Sequence, residues 1–304
     1  MRRLLLAPLL LVTAALVSVG PIAASASAAT ITLPTVTGGF GSLPTMKFPN
    51  AAPPSGLQTK VLSTGKGSSV VKGEMLVVNY VGQIWRGKVF DSTFSRQQTF
   101  GVPIGVGAVV KGWDEGLLGK RIGSRVLLSI PPSLGYGAAG DSQAGIKGTD
   151  TIVFVLDLVA AYRKTVGSHE TANVVASSAH GVTVSNINST APTLKVAKGT
   201  PKPTTPLATI LARGSGPKVT PGLLVLQYVI ADFSGKTLKS TWSVGTPDGE
   251  YAGSKIQTSV LDPLVGDTIG SRVLIEVPAS STAGGPYLFA VQIAAEVPAK
   301  ASKP

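Results

Sequence analysis

The sequence predicts an α+β protein in which an antiparallel sheet with one short helix occurs twice along the chain. Three observations carry that prediction. The apolar segments are short and rich in β-branched residues, as strands are. Long connections rich in glycine and proline separate them, with 36 Gly and 22 Pro in 304 residues. Motifs also return at a nearly fixed distance. Ile122-Gly123-Ser124-Arg125-Val126-Leu127 recurs identically as Ile269-Gly270-Ser271-Arg272-Val273-Leu274. Gly235 follows Gly87 by 148 residues, Pro192 follows Pro44 by 148, and Ile269 follows Ile122 by 147. A register held that closely marks a tandem duplication.

Taken in order, the chain opens with Arg2 and Arg3, an apolar run from Leu4 to about Val19, and the small residues Ala24-Ser25-Ala26-Ser27-Ala28. A positive start, a short apolar stretch and an A-x-A site describe a secretory signal peptide over residues 1–28, so export is expected. An uncleaved membrane anchor is the alternative, because the run falls just short of the roughly 20 residues a spanning helix needs. Residues 29–56 form a Gly/Pro-rich extension, expected to lie over the first domain or to be partly disordered. The first domain covers residues 57–162. Within it Leu76–Val81, Ser124–Ile130 and Thr151–Val159 read as strands. The stretch from Val109 to Leu118 is the one candidate helix, with Asp114 and Glu115 suited to its first turn. Residues 163–205, rich in Ser, Thr, Ala, Lys and Pro, read as a linker. The second domain is expected at 206–297, with strands at Leu224–Tyr228, Val273–Val277 and Phe289–Ile293, and a tail at 298–304.

Composition excludes several kinds of chemistry. With no cysteine there is no disulfide, thiolate nucleophile, iron–sulfur cluster or cysteine-held zinc, and no lipid-modified N-terminal cysteine. Two histidines, His169 and His180, leave little material for a Ser-His-Asp triad or a multi-histidine metal site. No metal and no cofactor are expected. The 43% hydrophobic content supports real cores. The formal net charge is +12 and drops to +10 without the two arginines of residues 1–28. The lysines stand singly (Lys60, Lys66, Lys72, Lys88, Lys111) rather than in a stripe. The charge is therefore read as a solvated basic surface weakly attracted to anionic cell-envelope polymers, and not as a nucleic-acid site.

Four clusters stand in a diagnostic order: Val78-Asn79-Tyr80-Val81-Gly82, Gly87-Lys88-Val89-Phe90-Asp91-Ser92, Val109-Val110-Lys111-Gly112-Trp113-Asp114-Glu115-Gly116-Leu117, and Pro131-Pro132-Ser133-Leu134-Gly135-Tyr136-Gly137, closed by Thr151-Ile152-Val153-Phe154. Together they resemble the FKBP-type peptidyl-prolyl cis/trans isomerases, and the whole chain resembles exported tandem members of that family from actinobacteria. The resemblance is dense over 57–162 and thin over 206–297. It implies two FKBP-like domains, each an antiparallel sheet wrapped over a short helix, with the second degenerate. It also implies an apolar site for proline-containing polypeptides and for macrolides of the FK506 or rapamycin type. By matching positions, Tyr80, Phe90, Phe100 and Phe154 would form the walls of that site and Trp113 its floor. Val109 and Val110 would form the rim, with the Val110 N–H free for a substrate carbonyl. Tyr136 would contact the bound amide, Asp91 would be the pocket carboxylate, and Arg96 would stand near both. Ile146 would fall in the flap loop.

Each residue alone has a plainer reading: the rings as core aromatics, Asp91 as a turn carboxylate, Tyr136 as a loop tyrosine. Their joint order favours the site. The chemistry is consistent with the composition, because rotation about an amide breaks no covalent bond and needs no nucleophile.

The second copy lacks much of this set. Phe90-Asp91-Ser92-Thr93-Phe94 faces Leu238-Lys239-Ser240-Thr241-Trp242, Trp113 falls opposite about Val260, and the stretch around Tyr136 has no counterpart. A folded, catalytically silent second domain is expected. The main expectation for function is peptidyl-prolyl isomerisation of exported polypeptides. The alternatives are a non-catalytic binding or chaperone module that keeps the pocket's shape, and an envelope-polymer adhesin.

Overall fold

Strand order repeats along this chain as faithfully as sequence does. The computed structural model describes residues 31–163, 173–187, 191–253, 259–280 and 284–297. The expected leader, the expected tail and His169 lie outside them. The first half contains β1 (Thr35–Thr37), β2 (Thr45–Lys47), β3 (Gln58–Ser63), β4 (Met75–Ile84), β5 (Val89–Ser92), α1 (Thr93–Arg96), β6 (Phe100–Pro103), α2 (Lys111–Gly116), β7 (Arg125–Ile130) and β8 (Ile152–Tyr162). The second contains β9 (Asn173–Val174), β10 (Ser178–Ala179), β11 (Val182–Ser185), β12 (Thr193–Val196), β13 (Leu207–Arg213), β14 (Gly222–Asp232), β15 (Thr237–Ser240), α3 (Thr241–Val244), β16 (Asp248–Ala252), β17 (Arg272–Val277) and β18 (Tyr287–Glu296).

The first sheet runs β3-β7-β8-β4-β5, with β6 also paired to β4, and all its pairs are antiparallel. The second runs β13-β17-β18-β14-β15, with β16 on β14 and β9 added beside β13. The small bonds repeat as well. The Thr93 hydroxyl accepts from the Tyr80 N–H at 2.8 Å, and Thr241 does the same for Tyr228 at 2.8 Å.

Side-chain alternation places the two faces of the first sheet in different surroundings. Leu76, Val78, Val126, Leu128, Ile130 and Leu156 face α2 and close a core with Trp113 and Leu117. Leu127, Val153 and Val155 face the other way, under Leu33, Val36, Met46 and Phe48 of the N-terminal extension. The extension therefore lies on the first sheet as a β1–β2 hairpin. Its tip is fastened by a buried ion pair: Arg125 Nε donates to Asp157 Oδ1 at 2.6 Å, with the two side chains 2% and 1% exposed. Arg125 also donates to the carbonyls of Gly38 at 2.5 Å and Ser42 at 2.6 Å, and the Gly41 N–H donates to Asp157 at 2.7 Å.

Residues 163–205 are not a linker throughout. They hold β9 to β12, of which β10-β11-β12 form a sheet. Average composition hid an alternation that decides the matter. Val182, Val184, Ile187 and Leu194 are buried against Leu211, Val229, Leu274 and Ala290 of the second sheet, and Thr183 and Lys195 point outward. This piece stands to the second sheet as β1–β2 stands to the first. Arg272 reaches it by donating to the Asn186 carbonyl at 2.7 Å.

The two sheets meet through residues of equal register. Met75 and Val77 of β4 pack in one cluster with Leu223 and Val225 of β14, each 148 positions later. A Cβ on Gly101 would lie 3.6 Å from the Gly249 Cα, and one on Gly249 would lie 2.6 Å from the Met75 sulfur. Glycine at both positions leaves room for the Met75 side chain between β6 and β16.

Candidate active site

Five elements of the first half converge on a hollow of about 350 Å³. Tyr80 comes from β4, Phe90 and Asp91 from edge strand β5, Phe100 from β6, Trp113 from α2 and Phe154 from β8. Gly107, Ala108, Val109, Val110 and Tyr136 complete the lining from loops. The rings meet edge to face: Trp113 lies 5.1 Å from Phe154 and 5.3 Å from Tyr80, and Phe90 lies 5.5 Å from Phe154. That arrangement sets positive ring edges against negative faces and adds about 0.5–1.5 kcal/mol per pair beyond burial. Gly82 makes room for it, because a Cβ there would sit 2.7 Å from atoms of both Phe90 and Phe154.

Nine of the eleven residues expected at the site therefore line one hollow. Arg96 stands outside it but is tied to it. Its guanidinium pairs with Asp91, donates to the Tyr80 oxygen at 3.2 Å and lies 5.7 Å from the Tyr80 ring centre. Ile146 does not line the hollow. It is buried in the adjoining core and pairs with Asp141 through two backbone hydrogen bonds of 2.8 Å, so it braces the loop that carries Tyr136.

The polar groups are few and fixed. The Tyr80 hydroxyl donates to Asp91 Oδ2. Burial and this bond push the Tyr80 phenol up to about 12, with Arg96 opposing. Burial, then Asp141 and Asp91, also raise the Tyr136 phenol above its ordinary value. The Trp113 indole N–H is buried without an acceptor among the described residues. Val110 is the residue before α2, whose first N–H groups lack intrahelical acceptors.

Two residues escaped the reading of the sequence. Asp114, taken as a helix-end charge, accepts from the Gly105 N–H at 2.6 Å and the Gly107 N–H at 2.8 Å, and so folds the rim loop onto α2. Thr93 anchors α1 beneath Tyr80. A signal for both was present in the repeat: Asp262 accepts from Gly253 at 2.6 Å, 148 residues on, and Thr241 recurs at the same offset.

The second sheet has a different centre. Lys239 does replace Asp91, yet a carboxylate returns from β16, where Asp248 occupies the register of Phe100. Tyr228 donates to Asp248 at 2.6 Å, and Lys239 donates to the Tyr228 oxygen at 2.5 Å and to Asp248 at 3.1 Å. Leu261 rather than Val260 stands where Trp113 would, just ahead of a single 3₁₀ turn at Asp262–Leu264. Ile230 takes the place of Gly82 and packs into the second core.

A sheet wrapped on one short helix, with a ring-lined hollow where they meet, is the build of an immunophilin-type prolyl isomerase. Comparison with known proteins agrees. A family model described as FKBP-type peptidyl-prolyl cis-trans isomerase matches residues 66–159. An FK506-binding protein of Neisseria meningitidis serogroup B is 39% identical over 107 residues, 35% of this chain and 97% of that protein. Peptidyl-prolyl cis-trans isomerase FKBP15-2 of Arabidopsis thaliana is 43% identical over 99 residues, 33% of this chain and 60% of that protein. FkpA from Escherichia coli, in its crystal structure, aligns over 35% of this chain and 48% of that one at 36% identity, with a TM-score of 0.33. The chain belongs to the FKBP-type peptidyl-prolyl cis-trans isomerase family.

Proposed function

We propose that the first half of the chain accelerates cis/trans rotation about X–Pro bonds of exported polypeptides, in the hollow between α2 and the first sheet. The observation that carries the reading is the ring of Tyr80, Phe90, Phe100, Trp113 and Phe154 around one cavity, with Asp91 and Tyr136 among its few polar groups. A planar amide resists rotation by about 18–20 kcal/mol because resonance holds it flat. The twisted transition state has lost that resonance and part of its polarity, so a dry aromatic slot favours it over the planar ground state. The Val110 N–H and the Tyr136 hydroxyl are suited to hold the carbonyls that flank the rotating bond. Asp91, fixed by Tyr80 and Arg96, sets the polarity at the lip. Spontaneous X–Pro exchange takes about 10–100 s, slow enough to limit the folding of an exported chain.

The second sheet is proposed as a diverged copy without this activity. Its support is the repeated strand order beside the loss of Gly82, Phe100 and Trp113 equivalents. Export rests on residues 1–28, and macrolide binding on the intact ring set. The test is turnover of a proline-containing tetrapeptide by the full chain, followed by chymotrypsin coupling or NMR exchange, with FK506 as competitor. No acceleration overturns the reading, and so does acceleration untouched by Asp91→Ala combined with Tyr136→Phe.

A further inference from the structure

A second and larger hollow, of about 880 Å³, lies against the same edge strand. Phe90 and Asp91 of β5 line both hollows, so the two adjoin at that strand. The other wall of the second hollow is the end of the β1–β2 hairpin, residues 43–46. That wall lies outside residues 66–159, the segment that matches the family model. It is also held in place: the neighbouring residues Gly38, Gly41 and Ser42 are fastened by the buried Arg125–Asp157 pair.

The lining defines what the groove would accept. Leu43 and Val89 are 62% and 51% exposed, and Met46 and Phe94 stand beside them. Its two charged residues, Asp91 and Arg96, neutralise each other. β5 ends the order of its sheet, so among the described residues no strand covers its outer edge. Such an edge accepts an extended chain through backbone hydrogen bonds, and apolar recesses then select its side chains.

We propose that this groove is an extended subsite that binds apolar residues flanking the proline, on one side of it, in the same polypeptide whose X–Pro bond is turned over next door. The inference rests on the isomerase reading and deepens it by naming the preferred substrate: an unfolded segment with apolar residues beside proline, not a lone X–Pro unit. A volume of several hundred Å³ is of the size that ligand sites use, roughly 300–1,000 Å³.

The test compares the full chain with Leu43→Asp and Leu43→Ala, an exposed position outside the aromatic hollow. Substrates are a tetrapeptide around one X–Pro bond and the same unit lengthened by four apolar residues on its N-terminal or its C-terminal side. The parent is expected to turn over one lengthened peptide with kcat/KM at least tenfold above the tetrapeptide, mainly through a lower KM. Leu43→Asp should abolish that gain, Leu43→Ala should reduce it, and both should leave tetrapeptide turnover unchanged. Equal turnover of all three peptides by the parent overturns the subsite and leaves the isomerase reading standing. A gain that survives Leu43→Asp, or an equal loss on every peptide, also overturns the subsite. Absence of tetrapeptide turnover in the parent overturns the isomerase reading and the subsite with it.

Discussion

The Tyr251 hydroxyl donates to the carbonyl of Thr99 at 2.8 Å, and so a residue of the second sheet holds the residue that precedes Phe100 in the first. The Thr99 and Tyr251 hydroxyl oxygens also approach to 3.2 Å, and Thr246 donates to the Gly73 carbonyl at 2.8 Å across the same seam. Phe100 is a wall of the candidate site, so the brace reaches the chemistry. Tyr251→Phe removes one hydrogen bond, worth about 1 kcal/mol. A three- to fivefold fall in kcat/KM is expected, together with shifted NMR signals for the Phe100 ring. Unchanged turnover and unchanged Phe100 signals would show that the seam leaves the wall unaffected.

Gly82 sets the spacing of Phe90 and Phe154. The substitution Gly82→Ala places a methyl group where ring atoms now stand and should cost about 1–3 kcal/mol through overpacking. Turnover should fall at least tenfold while circular dichroism stays that of the parent. Full activity in Gly82→Ala would mean that the rings need no such room.

The Arg125–Asp157 pair is buried on both sides. Removing one partner of such a pair leaves a buried charge uncompensated, at a cost of about 3–5 kcal/mol. Asp157→Asn should therefore lower the urea midpoint strongly, and it should also loosen the hairpin tip, read as faster amide exchange at Gly41. Loss of less than about 1 kcal/mol would contradict the assigned role.

The Tyr80 phenol gives a pH signature. Its folded value of about 12 lies above that of an unfolded tyrosine, roughly 10. The folded chain thus holds this proton more tightly, and the associated stability is complete below pH 10 and is lost as pH rises toward 12. The difference in ultraviolet titration between the parent and Tyr80→Phe should show one phenol ionising near 12. Ionisation near 10 would mean that Tyr80 is neither buried nor bonded as described.

Much of this site was legible in the sequence because the family's motifs sit on regular elements. Tyr80, Phe90, Trp113 and Phe154 each occupy a strand or helix position whose direction is set by its neighbours. Ile146 was less legible, since its place depends on how the loop from Asp141 onward closes, and loop length carries no direction. The strands at 182–185 and 193–196 were missed for a different reason. Four apolar residues alternating with polar ones are diluted by the surrounding Ser, Thr and Lys, and only the sheet beneath reveals which side is buried. Asp248 was missed because register assigns each position its own counterpart, whereas the carboxylate passed from one strand to its neighbour.

The seam formed by Met75, Val77 and Gly101 against Leu223, Val225 and Gly249 has the self-matching character of a contact between two identical subunits. Here one chain supplies both partners. Their association is governed by a tether, so it has no dissociation constant that dilution can exceed. A brace that would fall away from a separate subunit at nanomolar concentration stays beside Phe100 at any concentration.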